Sequence, residues 1–126
     1  MLMQLRSHAT HRPFQPPKGA YHFDDDSIPK NRRLEPKENN YWWLEYGGIH
    51  DCIADAGLIQ SELKKIVYGV WEYLKNHPSG IASRWELDWL CSLPGKRESA
   101  RYVGDYLLTQ NDIVKQTAFH DSIGHG

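Results

Sequence analysis

Apolar positions recur most regularly between Leu58 and Leu74. Ile59, Leu63, Ile66, Val67, Val70, Trp71, Tyr73 and Leu74 fall on one helical face, with Lys64, Lys65, Glu72 and Lys75 opposite. This predicts a half-buried helix of about 20 residues, on the order of 30 Å long. Asp55 stands where an N-cap side chain accepts a hydrogen bond from an early amide, and its charge suits the helix dipole. Asn76-His77-Pro78 ends the run, because a residue before proline is driven out of the helical region. Gly69 flanks the stripe, where a missing side chain permits close packing at a helix-propensity cost of about 1 kcal/mol.

Elsewhere the period shortens or vanishes. Trp85, Leu87, Trp89 and Cys91 alternate with Glu86, Asp88 and Leu90, which predicts a strand with one buried face. Ser92-Leu93-Pro94-Gly95 then predicts a turn. Tyr41 to Tyr46 is aromatic-rich and ends at Gly47-Gly48, as a strand before a turn does. Tyr102 to Thr109 predicts another strand, bulged at Gly104, and Gln110 to Lys115 a short helix. Residues 1–40 hold Pro13, Pro16, Pro17, Pro29 and Pro36, so this stretch is expected to be an extended or looped arm. Its dispersed Phe14, Tyr21, Phe23, Ile28 and Leu34 suit a segment lying across another surface. Two regions result, an arm at 1–40 and a folded part at 41–126. The fold class is α/β or α+β, a mixed sheet with one long amphipathic helix.

Composition narrows the function more by exclusion than by choice. In 126 residues, 40% are apolar and the net charge is −1, so one modest core is expected and no basic nucleic-acid footprint. No apolar run approaches a membrane span and no signal-peptide core precedes Phe14, which leads to an expectation of a cytoplasmic chain. Cys52 and Cys91 form no CxxC pair and are expected to be buried free thiols, or a disulfide if the protein is exported. His50-Asp51, His120-Asp121 and His125 include metal-capable side chains without ligand spacing, and no metal site is expected. No P-loop, GxSxG or GxGxxG is present.

Two features carry candidate chemistry. In Leu93 to Arg101, Arg97 and Arg101 lie four apart beside a Pro-Gly turn. Their planar forks suit a carboxylate or phosphate, or they pair with Glu98 and Asp105 in a structural network. Trp42, Trp43, Trp71, Trp85 and Trp89 suit core packing, or else a carbohydrate- or protein-binding surface of an autonomous module. Glu45, beside that aromatic run, has no second carboxylate that sequence can place near it.

Taken as continuous stretches, YWWLEYGG (41–48), IADAGLIQSELKKIVYGVWEYLKN (53–76) and LPGKRESARYVGDYLLTQNDI (93–113) resemble the FAD-dependent oxidoreductase family related to succinate dehydrogenase and fumarate reductase flavoproteins. The resemblance covers about residues 41–126 and, more faintly, the arm. It implies an FAD cofactor, hydride transfer carried by the flavin, a small-molecule substrate, and Arg97 and Arg101 as the anion-contacting residues. Where the family has a further arginine after the serine, this chain has Ala100. The dinucleotide-binding (Rossmann-type) unit whose glycines meet the FAD pyrophosphate has no counterpart here. The resemblance therefore implies an internal part of a longer flavoprotein, drawn from its substrate or cap region and inactive or nearly so alone.

Overall fold

The computed structural model describes residues 1–37, 41–96, 100 and 102–124. Four elements follow in the order β1 (Met3–Ser7), α1 (Ala56–Asn76), β2 (Trp85–Leu90) and α2 (Gln110–Lys115). The class is α+β, and the sheet is an antiparallel pair of β1 with β2.

The long helix forms where its apolar period places it. Ile59, Leu63, Val67, Val70, Trp71 and Leu74 are buried, and the helix stops at Asn76 with His77 extended before Pro78. Asp55 occupies the N-cap position, but its side chain makes no capping bond. Its carboxylate instead accepts from the Asp51 amide at 3.1 Å, because the preceding turn folds back over the helix end. Lys75, expected on the polar face, is buried. Its ammonium donates to the carbonyls of Ala82, Ser83 and Trp85 at 2.9, 3.0 and 2.7 Å. Three fixed acceptors replace the water lost on burial. Burial still pushes this amine below the usual lysine range.

The proline-rich segment is anchored on this chain's own helix. Its first residues form β1, whose short alternation Met3-Gln4-Leu5-Arg6 is outweighed in composition by the prolines that follow. Farther along, the Tyr21 amide donates to the Lys65 carbonyl at 3.2 Å and the Tyr21 hydroxyl to Glu62 at 2.5 Å. Tyr73 donates to Asp25 at 2.9 Å. Ile28 is buried with Val70, Trp71, Leu74 and Ala82, and Leu5, Phe14, Phe23 and Leu34 pack around them. Gly69 is what allows this approach. A Cβ there would overlap the Tyr21 carbonyl oxygen and come within 2.9 Å of Phe23 Cε2.

Strand β2 appears as its alternation predicts up to Asp88. There the register slips: Gln4 faces Trp89 and Leu5 faces Leu87, leaving Asp88 as the extra residue of a bulge. One added residue reverses the faces. Trp89, expected inside, is 51% exposed as a result. On the outer face Arg6 pairs with Asp88 at 2.6 Å and His8 with Glu86 at 2.7 Å.

Two predicted strands are absent. Tyr41 to Tyr46 is a turn followed by irregular chain, in which the Leu44 amide donates to the Tyr41 carbonyl at 3.2 Å. The adjacent Trp43 and Leu44 both pack toward the core, which an alternating strand does not permit. Trp43, Trp71 and Trp85 thus serve packing, as one of the two readings of the tryptophans has it. Tyr102 to Thr109 is also irregular, since among the described residues no strand pairs with it. Its Tyr102, Val103 and Leu107 are left almost fully exposed. Helix α2 forms where expected, under a Thr109–Asp112 capping box, with none of its residues buried. Cys52 and Cys91 are half-buried and are not joined in a disulfide. Among the described residues no helix is long and apolar enough to cross a membrane.

The glycine contact gives a paired test. Gly69→Ala gains about 1 kcal/mol of helix propensity but must displace backbone, so a net loss of about 1–3 kcal/mol is expected. Gly57, in the same helix with nothing near its missing Cβ, serves as the control. Gly57→Ala is expected to stabilise by about 0.5–1 kcal/mol. Urea denaturation of both variants reads the two signs.

Acid supplies a second test. The hydrogen bond from Lys65, then that from Tyr21, holds Glu62 below its ordinary 4.5, and bonds from the Thr109 hydroxyl and amide hold Asp112 below 3.8. The unfolded chain therefore takes up more protons as pH falls through and below these values, and stability present at neutral pH is lost there. The urea midpoint should fall between about pH 6 and about pH 3, less steeply in Glu62→Gln.

Candidate functional site

An open groove of about 800 Å³ runs along the first turns of α1. One wall is Trp42 and Leu44 to Gly48, another is the helix face at Ala56, Ile59 and Leu63, and the third is Pro94, Gly95 and Lys96. Gly47 sets the bend of the first wall. Its φ is +99°, and a Cβ there would press to 3.0 Å against Ile59. The third wall is tied to the helix by Gln60, whose side-chain amide donates to the Ser92 carbonyl. Two stretches almost fifty residues apart in sequence thus meet across one helix.

Polar chemistry gathers on the first wall. Arg32 lies over the Trp42 ring, 4.8 Å from its centroid, so one face of this exposed indole is taken by a cation. Tyr46 and His50 stack with ring centroids 5.5 Å apart, and the Tyr46 hydroxyl lies 3.3 Å from His50 Nε2. On its other side His50 Nδ1 lies 3.5 Å from Asp55 Oδ2. In the sequence His50 stands with its neighbour Asp51 as a metal-capable pair. The fold pairs it with Asp55 instead, and this Tyr46–His50–Asp55 row has almost no trace in the sequence. Its only signal there is the four-residue step from Tyr46 to His50, which has no facing role outside a helix.

Asp51 is engaged elsewhere. Its Oδ1 accepts from the amides of Ile53 and Ala54, both at 2.8 Å. The Ala54 bond and then the Ile53 bond hold its carboxyl below the usual aspartate range. These contacts test whether FAD fits. A flavin pyrophosphate needs bare amides at a glycine-lined helix N-terminus. Here two carboxylates, Asp51 and Asp55, occupy the turn that leads into α1, and both would repel phosphate. The described residues do not fit a pyrophosphate.

Arg97 and Arg101, the expected anion contacts, lie outside the described residues, as do Glu98 and His125. Immediately before Arg97 stands Lys96, on the groove wall, with Pro94 and Gly95 leading into it. Glu45 lines the same groove.

A family model described as FAD dependent oxidoreductase matches residues 2–126. That span reaches through the proline-rich segment as well as the three motif stretches. No curated protein matches the chain, and no solved structure does. The chain belongs to the FAD dependent oxidoreductase family.

Proposed function

We propose that this chain forms the part of an FAD dependent oxidoreductase that covers substrate and flavin, with the pyrophosphate held by a different segment. The observation that carries this reading is the meeting of Trp42–Gly48 with Pro94–Lys96 across α1. Both stretches belong to the sequence runs that resemble flavoproteins of the succinate dehydrogenase and fumarate reductase kind. A flavin supplies the redox chemistry in such enzymes. This chain's residues supply a walled, partly aromatic groove with Lys96 at its edge.

Arg97 and Arg101 continue the chain from that edge. Their guanidinium forks are the groups suited to hold an anionic substrate, and Lys96 adds a point charge beside them. Alone, the chain is inactive or nearly so, because the described residues of the groove offer no pyrophosphate cradle. Exposed Trp42 and Trp89 favour a glycan- or protein-binding module instead. Trp42 already carries Arg32 on one face, which leaves that reading weaker.

Arg97→Ala, introduced into a complete family member with the same Pro-Gly-Lys-Arg-Glu-Ser run, is expected to lower kcat/KM by about ten- to a hundredfold, the worth of one charge-assisted hydrogen bond. Unchanged kinetics would remove Arg97 from the reaction. Purified alone with excess FAD, the chain should leave gel filtration colourless. A yellow, flavin-retaining peak would overturn the division of labour.

A further inference from the structure

We infer that Tyr46, His50 and Asp55 form a proton relay opening into the groove, able to take the proton of a ligand hydroxyl. The inference rests on the reading of this groove as the substrate-facing one. Tyr46 and His50 both line it, and Asp55 stands behind His50 at 3.5 Å.

The order of the relay follows from what each group can do. An ionised carboxylate only accepts, so Nδ1 of a neutral His50 carries the ring proton toward Asp55. Nε2 is then an acceptor and faces the Tyr46 hydroxyl at 3.3 Å. The phenol donates to the ring, and its oxygen keeps its lone pairs to accept from a ligand hydroxyl in the groove that Tyr46 lines. Such contacts are commonly long before a ligand arrives and shorten in the complex.

The transfer balances without any further reactant. A ligand hydroxyl gives its proton to the Tyr46 oxygen while the phenolic proton passes to His50 Nε2. The products are a ligand alkoxide, an intact phenol and an imidazolium whose charge the Asp55 carboxylate offsets. The proton then leaves from His50 to solvent, since its side chain is a quarter exposed. Asp55 acts as a positioning residue, fixing the ring by a carboxylate that the Asp51 amide also holds. Lys96, on the wall formed with Pro94 and Gly95 and near enough to Asp51 for its charge to act there, gives the ligand class: a small hydroxyl-bearing molecule that also carries an anionic group.

The test uses the whole chain, 15N-labelled, with glycolate as the probe and His50→Asn to assign the ring signals. Long-range nitrogen–proton spectra near neutral pH are expected to show His50 protonated at Nδ1 and bare at Nε2. The opposite tautomer would overturn the relay. Glycolate at about 10 mM should move the Nε2 signal, and Lys96→Ala should weaken that response about tenfold, or about 1.4 kcal/mol. Tyr46→Phe should abolish it. Tyr46 is 37% exposed, so the variant is expected to fold, and Lys96→Ala, at an exposed position, provides the same reading should it not. No response to glycolate, or an equal one in Tyr46→Phe, sinks the inference. Because the signal is read on His50 in this chain alone, such a failure leaves the flavoprotein reading to be decided separately, by the Arg97 kinetics.

Discussion

The backbone of Tyr21 lies directly on α1 at Gly69, and the seating of the segment around Tyr21 and Phe23 on that helix depends on this contact, while β1 is held separately by its pairing with β2. Once the carbonyl is seated there, the Tyr21 amide reaches Lys65 and its hydroxyl reaches Glu62 one turn earlier. Phe23 then comes down beside the glycine, and Ile28 enters the core against Val70, Trp71 and Leu74. A segment with this many prolines makes few backbone bonds to itself. Past Arg12, where its bonds to the backbone at Ser83 and Arg84 end, it is held where the helix surface at Gly69 lacks a side chain.

The second fastening point is Lys75. The loop between α1 and β2 turns the Ala82 and Ser83 carbonyls inward, β2 adds that of its first residue, Trp85, and one ammonium donates to all three. That fixes where Trp85 begins β2, so Leu87 and Leu5 face the core together. The groove inherits its geometry from both fastenings. Its helix wall is set by α1, and Pro94 to Lys96 is carried to it by β2 and by Gln60's hold on Ser92.

How much of this can be read in the sequence varies with the range of the interaction. Helix α1 is legible because a 3.6-residue period and a His77-Pro78 stop are local signals. Close packing at Gly69 is legible too, though its partner, Tyr21, is not. The aromatic runs at 41–46 and 102–109 carry strong β propensity, but propensity describes what a pleated surface accepts and says nothing of whether an edge is within reach. Lys75 reads as solvated because nothing local discloses three carbonyls several residues downstream. Asp88 reverses Trp89 by one unpaired residue, which alternation alone cannot reveal. For the site, the stretches that line the groove stand out as motifs, while their meeting is a long-range fact. Arg97 and Arg101 are legible as chemistry, and their surroundings lie outside the described residues.

Lys75 also changes how the folded chain meets reagents. Its amine is enclosed and committed to three acceptors, whereas Lys30 on the surface stands largely in water. Acylating compounds attack an unprotonated, reachable nitrogen, so modification at Lys75 must wait for the loop over residues 77–84 to lift away. The position is thereby a built-in chronometer of local opening, recording in a permanent covalent mark how often that loop leaves the helix.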